Sequence, residues 1–588
     1  MSTNDMSFKI AGEAGQGVES TGAGFAQALV RGGLRIFAMQ DYMSRIRGGL
    51  NFFQIRVAPY DIYTHHEQVH LLLAMNQQAI EEYRSEIAEG GGTIYDQGLK
   101  VEVEKLQDEG IRAFPAPLIE IAEDIGGRRV MANTVAIGVT AGITGYSFQK
   151  IAGVIEKSFG KKGASVVDSN LKVAEAGFRF GQDNYARDFE HRLEAESGPS
   201  RMIIHGNHAF CLGALASGCR FISAYPMTPA TAIMEWMAAH ADEYGIVAKQ
   251  TEDEIAAINM AIGANHVGVR GMVATSGGGF SLTVEGLGLA GMTETPLVVV
   301  EAQRGGPSTG FPTRTEQSDL RFMLHASQGE FPRLVLTPGT VEQAFQAGAR
   351  AFNLAEKYQT PVIVLSDQFL ANSLRTVELD AFDFEGVKID RGELLSVEDL
   401  DELEGEYQRF AFSESGISRR ALPGSHPKAV YPVSSDEHGP DGHIWEDRQN
   451  RIRMMNKRMK KLETARGDIW QPELYGPEEA DVTFVTWGST YGPLREAVDR
   501  LNEEGTNANM LHLPQVWPFP KERVSRILGG AKRVIGVEQN YDAQLAGLVR
   551  QETGIQVQAN ILKYDGRPFS PDYILTRFQK EDFDGQSY

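Results

Sequence analysis

The chain has 588 residues, 57 basic and 78 acidic side chains, and a formal net charge of −21. Its 42% apolar content can build large cores over several domains, and its acidity argues against a phosphate-neutralising nucleic-acid surface. Two cysteines, Cys211 and Cys219, cannot form a disulfide framework or a four-cysteine zinc or iron–sulfur site within this chain.

No uncharged apolar run reaches the roughly 18 residues of a membrane span. The opening MSTNDMSFKIAGEAG lacks a basic segment followed by an apolar one, as a secretory signal would have, so a cytoplasmic protein is expected. The 63 glycines cluster in particular turns, a pattern expected where backbone approaches ligands.

In chain order, SFKIAG predicts a strand, GEAGQG a turn containing Gly15, Gln16 and Gly17, and the Ala- and Leu-rich run after it a helix. Such a unit aims backbone N–H groups and a helix N-terminus at an anion. The spacing is GxxGxG, so a plain dinucleotide site is not implied. RIRGGLNFFQIRV reads as a basic glycine turn feeding a strand, HLLLAMN as a buried strand end, and VMANTVAIGVTAGI as a small-residue helix. An α/β domain is expected over 1–185, with a polar linker at 186–200.

The helix HAFCLGALASGC, whose cysteines suit a packed core, opens a second block. The strands FISAYP, VGVRGMVATS, PLVVVEAQRGG, FPRLVLTP and TPVIVLSDQ follow, each an apolar run ending in a polar or glycine turn. Parallel strands covered on both faces read this way, and the block is expected over 201–375. Residues 376–470 predict an irregular insert, with RIRMMNKRMKKLETAR as a basic helix presenting a solvated face. A third α/β unit is expected over 471–588. The fold class is α/β: several three-layer domains with largely parallel sheets.

Four turns of the second block carry candidate chemistry. In YPMTPAT, Thr228 fits a helix N-cap and Pro229 the first helical position, which leaves Tyr225 and Pro226 unexplained. In QTEDE, Thr251 and Glu254 fit a capping box, yet a carboxylate at the start of so apolar a helix also suits acid–base work. Ser276, Gly277, Gly278, Gly279 and Phe280 end a strand and make room for a ligand. Arg304, with Ser308 and Thr309 beyond it, suits a carboxylate or phosphate; an ion pair is the alternative. The carboxyl ends of parallel strands share one edge, which would bring these turns together.

In combination, GEAGQG with IRGG, YPMTPAT, EDEIAAINMAIGA, TSGGGFSL, QRGGPSTGFPT and EQSDL resemble the 2-oxoacid:ferredoxin oxidoreductases. The similarity is greatest to the large subunit of the 2-oxoglutarate enzymes in which gamma and alpha segments are fused. It implies thiamine diphosphate shared between two chains, with the second block as pyrimidine-binding domain and the third like the transketolase C-terminal domain. Glu254 would meet the aminopyrimidine N1′, Thr228 and Arg304 would hold oxygens of the 2-oxo acid, and Tyr225, Pro226 and the SGGGF turn would approach the cofactor. Gly15, Gln16 and Gly17, with Ser308 and Thr309, would serve substrate or coenzyme A.

The implied reaction converts 2-oxoglutarate and coenzyme A to succinyl-CoA and CO2 with electrons passed to ferredoxin, or runs in reverse. Pyruvate and branched-chain or aryl 2-oxo acids are alternative substrates, and a non-catalytic CoA- or nucleotide-binding scaffold is the alternative class. The family's GDG motif is absent, as DG occurs here in GPDGH and YDGRP. A beta subunit would therefore supply the diphosphate and Mg2+ site and a [4Fe-4S] cluster, in an (alpha-beta)2 heterotetramer. One departure is GEAGQG, where the family often has GxGGQG.

Overall fold

A computed structural model describes residues 3–44, 48–581 and 583. Part of the predicted basic turn, Arg45, Ile46 and Arg47, lies outside the described residues. The chain divides into two compact units, one of residues 1–204, 372–381 and 570–572 and one of the remainder.

The first unit is built on an eight-stranded sheet. Strand Met6–Glu13 lies inside it, parallel to Val69–Ala74 and antiparallel to Leu50–Ala58. Beyond Val69–Ala74 the neighbours are parallel, and beyond Leu50–Ala58 they are antiparallel. The mixture has a physical cause, because the connection from Arg35–Asp41 to Leu50–Ala58 is shorter than a crossover helix requires.

The predicted small-residue helix is Ala132–Thr144, and it packs on Ala164–Tyr185. A Cβ on Gly138 would strike the Ala174 carbonyl, and one on Gly177 the Val135 carbonyl, so glycines set the helix separation.

Two expected boundaries change. Residues 186–200 are not a free linker, since Phe189 and Leu193 are buried in the first unit's core. The backbone there is also tied down, with Leu193 N donating to Thr144 O. Strands Arg201–Ile204 and Leu374–Glu378, expected at the two ends of the second block, instead pair antiparallel in the first unit's sheet.

The second unit holds a seven-stranded and a five-stranded sheet. In the larger one, Leu297–Gln303 is central, parallel to Gly271–Thr275 on one side and Pro361–Asp367 on the other. Its Leu297, Val298, Val299 and Val300 are all buried, at about 1.5–3 kcal/mol each for removing such side chains from water. Strand Gln515–Trp517 pairs antiparallel with Leu334–Leu336 at the sheet's edge, and Val299, Trp487 and Leu511 belong to one core. The second and third blocks therefore fold as one body.

The basic helix, Arg448–Thr464, departs from its expected solvated face: Lys457, Arg458 and Lys461 are buried. Lys457 Nζ donates to both oxygens of Glu294 at 2.6 and 2.8 Å, and Lys461 Nζ lies 2.6 Å from Glu294 Oε2. Arg458 pairs with Glu437 at 2.9 Å. The carboxylates that bury these cations come from distant sequence, which the local charge pattern does not reveal. Among the described residues, no helix is long and apolar enough to cross a membrane.

Candidate functional site

At the carboxyl ends of the central strands, four predicted turns converge. The turn after strand Phe221–Ala224 contains Tyr225, exposed, and Pro226, Met227 and Thr228, half-buried. Thr228 is not an N-cap: the helix begins at Thr231 and its cap position is Ala230. The Thr228 carbonyl instead accepts a 2.8 Å hydrogen bond from Arg304 Nη1. That contact joins the first and last of the four turns.

The helix Glu254–His266 settles the capping question in the same way. Its cap is Asp253, whose Oδ1 accepts from Ala256 N at 2.7 Å. Thr251 Oγ1 donates to the Asp253 carbonyl, so the Thr251–Glu254 capping box does not form. Glu254 is 3% exposed, and its Oε1 has no hydrogen-bond partner among the described residues. An unmet buried carboxylate oxygen costs roughly 1–3 kcal/mol, so the fold tolerates it for a reason other than capping.

What Glu254 faces is the glycine run. Gly277, Gly278 and Gly279 are not a loop before a helix but the first turn of the helix Gly277–Met292, with Ser276 at the cap position. Ser276 makes no side-chain cap bond, and its buried Oγ has no partner among the described residues. The first N–H groups of a helix have no intrahelical acceptor, and they concentrate positive potential here.

A Cβ on Gly279 would overlap Thr275 Oγ1 and come within 2.5 Å of Glu254 Oε1. One on Gly278 would find only the Ser308 carbonyl, at 3.7 Å. Gly279 thus admits Glu254 to the turn, while Gly278 leaves it open outward. Thr275 Oγ1 also reaches Met227 Sδ at 3.9 Å, linking this turn to the Thr228 turn. Phe280 is fully buried beneath it, edge-on to Phe322.

Arg304 is half-buried, and burial pulls its guanidinium below the usual value while Glu301 opposes the fall. Ser308 and Thr309 lie exposed on the loop beyond it.

Sequence reasoning passed over Glu301, Asp319 and Gln317. Glu301 is fully buried on the strand Leu297–Gln303, and neither of its oxygens has a hydrogen-bond partner among the described residues. Burial, then Asp319 and Asp367, push its carboxyl well above the usual range against the pull of Arg304. Asp319 is pushed up to about 6 by burial. Gln317 Nε2 donates to Asp367 Oδ2 at 3.0 Å and Thr490 Oγ1 donates to Gln317 Oε1, tying the two sheets together. The signal was a glutamate inside an otherwise apolar strand, together with the polar EQSDL run.

In the first unit, Gly15 and Gly17 take left-handed φ values of 90° and 79°, and Gly17 is the N-cap of helix Val18–Arg31. Asn133 Nδ2 donates to the Gln16 carbonyl at 2.7 Å and holds the turn. The turn lines a cavity of about 660 Å³, together with Arg128, Asn133 and Lys162. Glycine-turn backbone and two cations in one cavity suit an anionic ligand of cofactor size.

These features can be compared with known proteins. Residues 212–457 match the family model of pyruvate flavodoxin/ferredoxin oxidoreductase, thiamine diphosphate-binding. Residues 7–180 match that of pyruvate ferredoxin/flavodoxin oxidoreductase, and 480–574 that of pyruvate:ferredoxin oxidoreductase core domain II. The 2-oxoacid:ferredoxin oxidoreductase subunit alpha of a Sulfolobus species is 34% identical, covering 99% of this chain and 98% of the relative. The 2-oxoglutarate oxidoreductase subunit KorA of Mycobacterium tuberculosis is 30% identical over 96% of this chain and 90% of its own. The solved 2-oxoglutarate:ferredoxin oxidoreductase of Magnetococcus marinus, with 2-oxoglutarate, coenzyme A and succinyl-CoA bound, is 34% identical. It superposes with a TM-score of 0.91 over 98% of this chain and 99% of that one.

Proposed function

The chain belongs to the 2-oxoacid:ferredoxin oxidoreductase family of alpha subunits, and on that premise we propose that it oxidatively decarboxylates 2-oxoglutarate to succinyl-CoA. The observation that carries the reading is the buried Glu254 oxygen, without a hydrogen-bond partner among the described residues and set against the glycine turn. The donor set fits thiamine diphosphate: a carboxylate for a ring nitrogen, and a turn with no side chains in the way. Bound there, with Glu254 toward its ring nitrogen and the glycine turn beside it, the cofactor would supply the electron-sink chemistry that decarboxylation of a 2-oxo acid needs.

Glu254 holds and returns a proton at Oε1, where burial excludes competing water. Arg304 and Thr228 fix the oxo acid's oxygens, Arg304 through a guanidinium that its bond to the Thr228 carbonyl already orients. Tyr225 and Pro226 form the adjoining wall. Ser308 and Thr309, on the exposed loop, meet the substrate as it enters. The cavity at Gly15, Gln16 and Gly17 takes coenzyme A, with Arg128 and Lys162 toward its phosphates.

A beta subunit supplies the diphosphate and Mg2+ site and a [4Fe-4S] cluster, and ferredoxin accepts the electrons. We take the assembly as an (alpha-beta)2 heterotetramer working in the cytoplasm. We assign 1–185 as the gamma-type domain, 201–375 as the pyrimidine-binding domain and 471–588 as the transketolase C-terminal-like domain, with 201–204 and 374–378 lending strands to the first unit's sheet. The test is a panel of 2-oxo acids given to the complex co-expressed with its beta partner, with coenzyme A and a redox dye. Dye reduction strongest with 2-oxoglutarate supports the reading. Full activity in this chain purified alone would overturn it.

A further inference from the structure

Four arginines that take no part in the site above gather at the C-terminal end of the helix Val341–Tyr358. Glu356, in the last turn of that helix, is 3% exposed and accepts from three of them. Arg270 Nε donates to Glu356 Oε2 at 2.8 Å and Arg420 Nη2 to Oε1 at 2.6 Å. Arg391 Nε spans both oxygens, and its Nη2 reaches Oε1 at 2.6 Å. Three residues on, the cap residue Gln359 accepts from Arg409 Nη1 at 2.8 Å. Positions three apart on a helix are neighbours on its surface, so Glu356 and Gln359 bring Arg420 and Arg409 to adjacent places.

Charge does not balance there. Arg391 is partly exposed, but Arg270, Arg409 and Arg420 are all buried. Arginine keeps its proton at any ordinary pH. The other buried carboxylate, Glu294, is met by Lys457 and Lys461, and Arg409 reaches only its backbone carbonyl, at 2.7 Å. Four guanidinium groups thus stand against the one carboxylate of Glu356, to which the helix end adds about half a negative charge. Buried charge without a counter-charge is among the costliest arrangements a fold can hold.

The arginines also differ in how their donors are used. Arg270 spends its other nitrogens on the carbonyls of Ser217 and Asp390, and Arg391 Nη2 also reaches Gly268 O. Arg420 Nε and Nη1 are buried with no hydrogen-bond partner among the described residues. The nearby hydroxyls are already spent, Tyr407 on Ala421 N and Arg419 O, and Tyr431 on Ala421 O. We propose that Arg420, with Arg409 beside it, binds a monovalent inorganic anion of chloride size that pins the insert to the helix Val341–Tyr358. Such an ion meets the unmatched donors and part of the cation excess at once, whereas a buried water would meet only the donors. Arg420 is flanked by the insert's small apolar core, including Leu395 and Ala421, which favours a weakly hydrated halide over a doubly charged phosphate.

The test is hydrogen exchange of the intact protein in potassium chloride and in potassium gluconate at equal ionic strength, so that screening is matched. Leu395 N donates to Arg420 O and Arg420 N to Glu393 O, so peptides over 393–421 report the local opening that frees the anion. Above the dissociation constant, each tenfold rise in chloride should slow their exchange about tenfold, because only the closed form binds. The strand Val482–Trp487, in the five-stranded sheet, is the control and should not respond. Arg420→Lys keeps a charge for Glu356 but lacks the Nε and Nη1 donors, and its exchange should be equal in the two salts. Crystals grown in bromide should show an anomalous peak beside Arg420 Nε or Nη1.

Equal exchange of the wild-type segment in the two salts overturns the proposal, and so does a chloride response that survives in Arg420→Lys. If Arg420→Lys does not fold, the bromide crystals decide, and an ordered water at Arg420 without anomalous signal overturns it.

Discussion

Glu294 precedes the strand Leu297–Gln303 and Glu301 lies on it, and both side chains are fully buried. Their surroundings are opposite. Burial alone would push the Glu294 carboxyl up, but Lys457, Lys461 and Arg409 reverse this and hold it well below the usual range. Glu301 is pushed up by its burial and by Asp319 and Asp367, against the pull of Arg304. The contrast extends along the chain. Asp253 caps a helix, Asp367 is met by Leu370 and Gln317, and Glu538 accepts from Leu545 N and Ala546 N. Glu254 Oε1 and both oxygens of Glu301 have no hydrogen-bond partner among the described residues, and both residues border the glycine turn. Asp253, Asp367, Glu294 and Glu538 are met within the fold, whereas Glu254 and Glu301 stand together beside the glycine turn.

The largest expected effect attacks the satisfied class. Glu294→Leu strands Lys457 and Lys461 in the interior, and breaking a buried pair in this way costs about 3–5 kcal/mol. Denaturant unfolding should show that loss, while Glu301→Gln should stay within about 1 kcal/mol of wild type because no hydrogen bond to the described residues is forfeited. The pH signs are opposite as well. Glu294, depressed in the fold, contributes stability that is present above its unfolded value and lost as pH falls through its folded one. Glu301, raised in the fold, contributes stability that is present below its unfolded value and lost as pH rises through its folded one. Equal losses in the two variants would end the distinction.

Second is Glu254→Gln in the reconstituted complex. Glutamine keeps the size but cannot exchange the proton, so turnover should fall by at least roughly a hundredfold. Proton–deuteron exchange at the thiazolium C2 should slow with it, while melting is unchanged. A variant with normal exchange would remove Glu254 from the unsatisfied, functional class.

Third, Arg304→Lys keeps the charge but loses the forked geometry that carboxylate recognition uses. KM for 2-oxoglutarate should rise about tenfold, or about 1.4 kcal/mol. Melting should hold, since the bond at risk is the single one to the Thr228 carbonyl among the described residues.

Much of this was legible in the sequence. The four turns at the strand ends, Thr228, Glu254, Gly277 to Gly279 and Arg304, were readable because strand-end position follows from local apolar runs. The role of Asp253 was not, as Thr251 and Glu254 fit a capping box and only the backbone geometry moves the cap to Asp253. The buried face of the Arg448–Thr464 helix was hidden for another reason. Its counter-charges, Glu294 and Glu437, lie outside the helix, and a basic run alone reads as solvated. Phe189 and Leu193 were missed because two apolar residues in a polar stretch carry no periodicity, yet both reach the core. Glu301 was passed over because a lone glutamate in PLVVVEAQ does not disturb the strand pattern.

The smallest expected effect is the sharpest, because it falls on adjacent residues. Asp253 and Glu254 share one helix start, where the sequence pattern puts a Thr251–Glu254 capping box and the fold puts the cap at Asp253. Asp253 Oδ1 accepts from Ala256 N and so meets one of the N–H groups that a helix start leaves without an intrahelical partner. Asp253→Ala should therefore cost about 1 kcal/mol of stability. Because Glu254 is the next residue, some fraying of that first turn would loosen it, and turnover should fall by no more than a few fold. Asp253→Asn restores an acceptor at the cap and should recover both. Glu254→Gln does the reverse, sparing stability and removing turnover. Measured together, the two substitutions form a crossed pair, in which Asp253→Ala acts mainly on stability and Glu254→Gln mainly on turnover. If Asp253→Ala abolished turnover at unchanged stability, the roles of these neighbours would be exchanged, and a partner within the fold would no longer mark a carboxylate as structural.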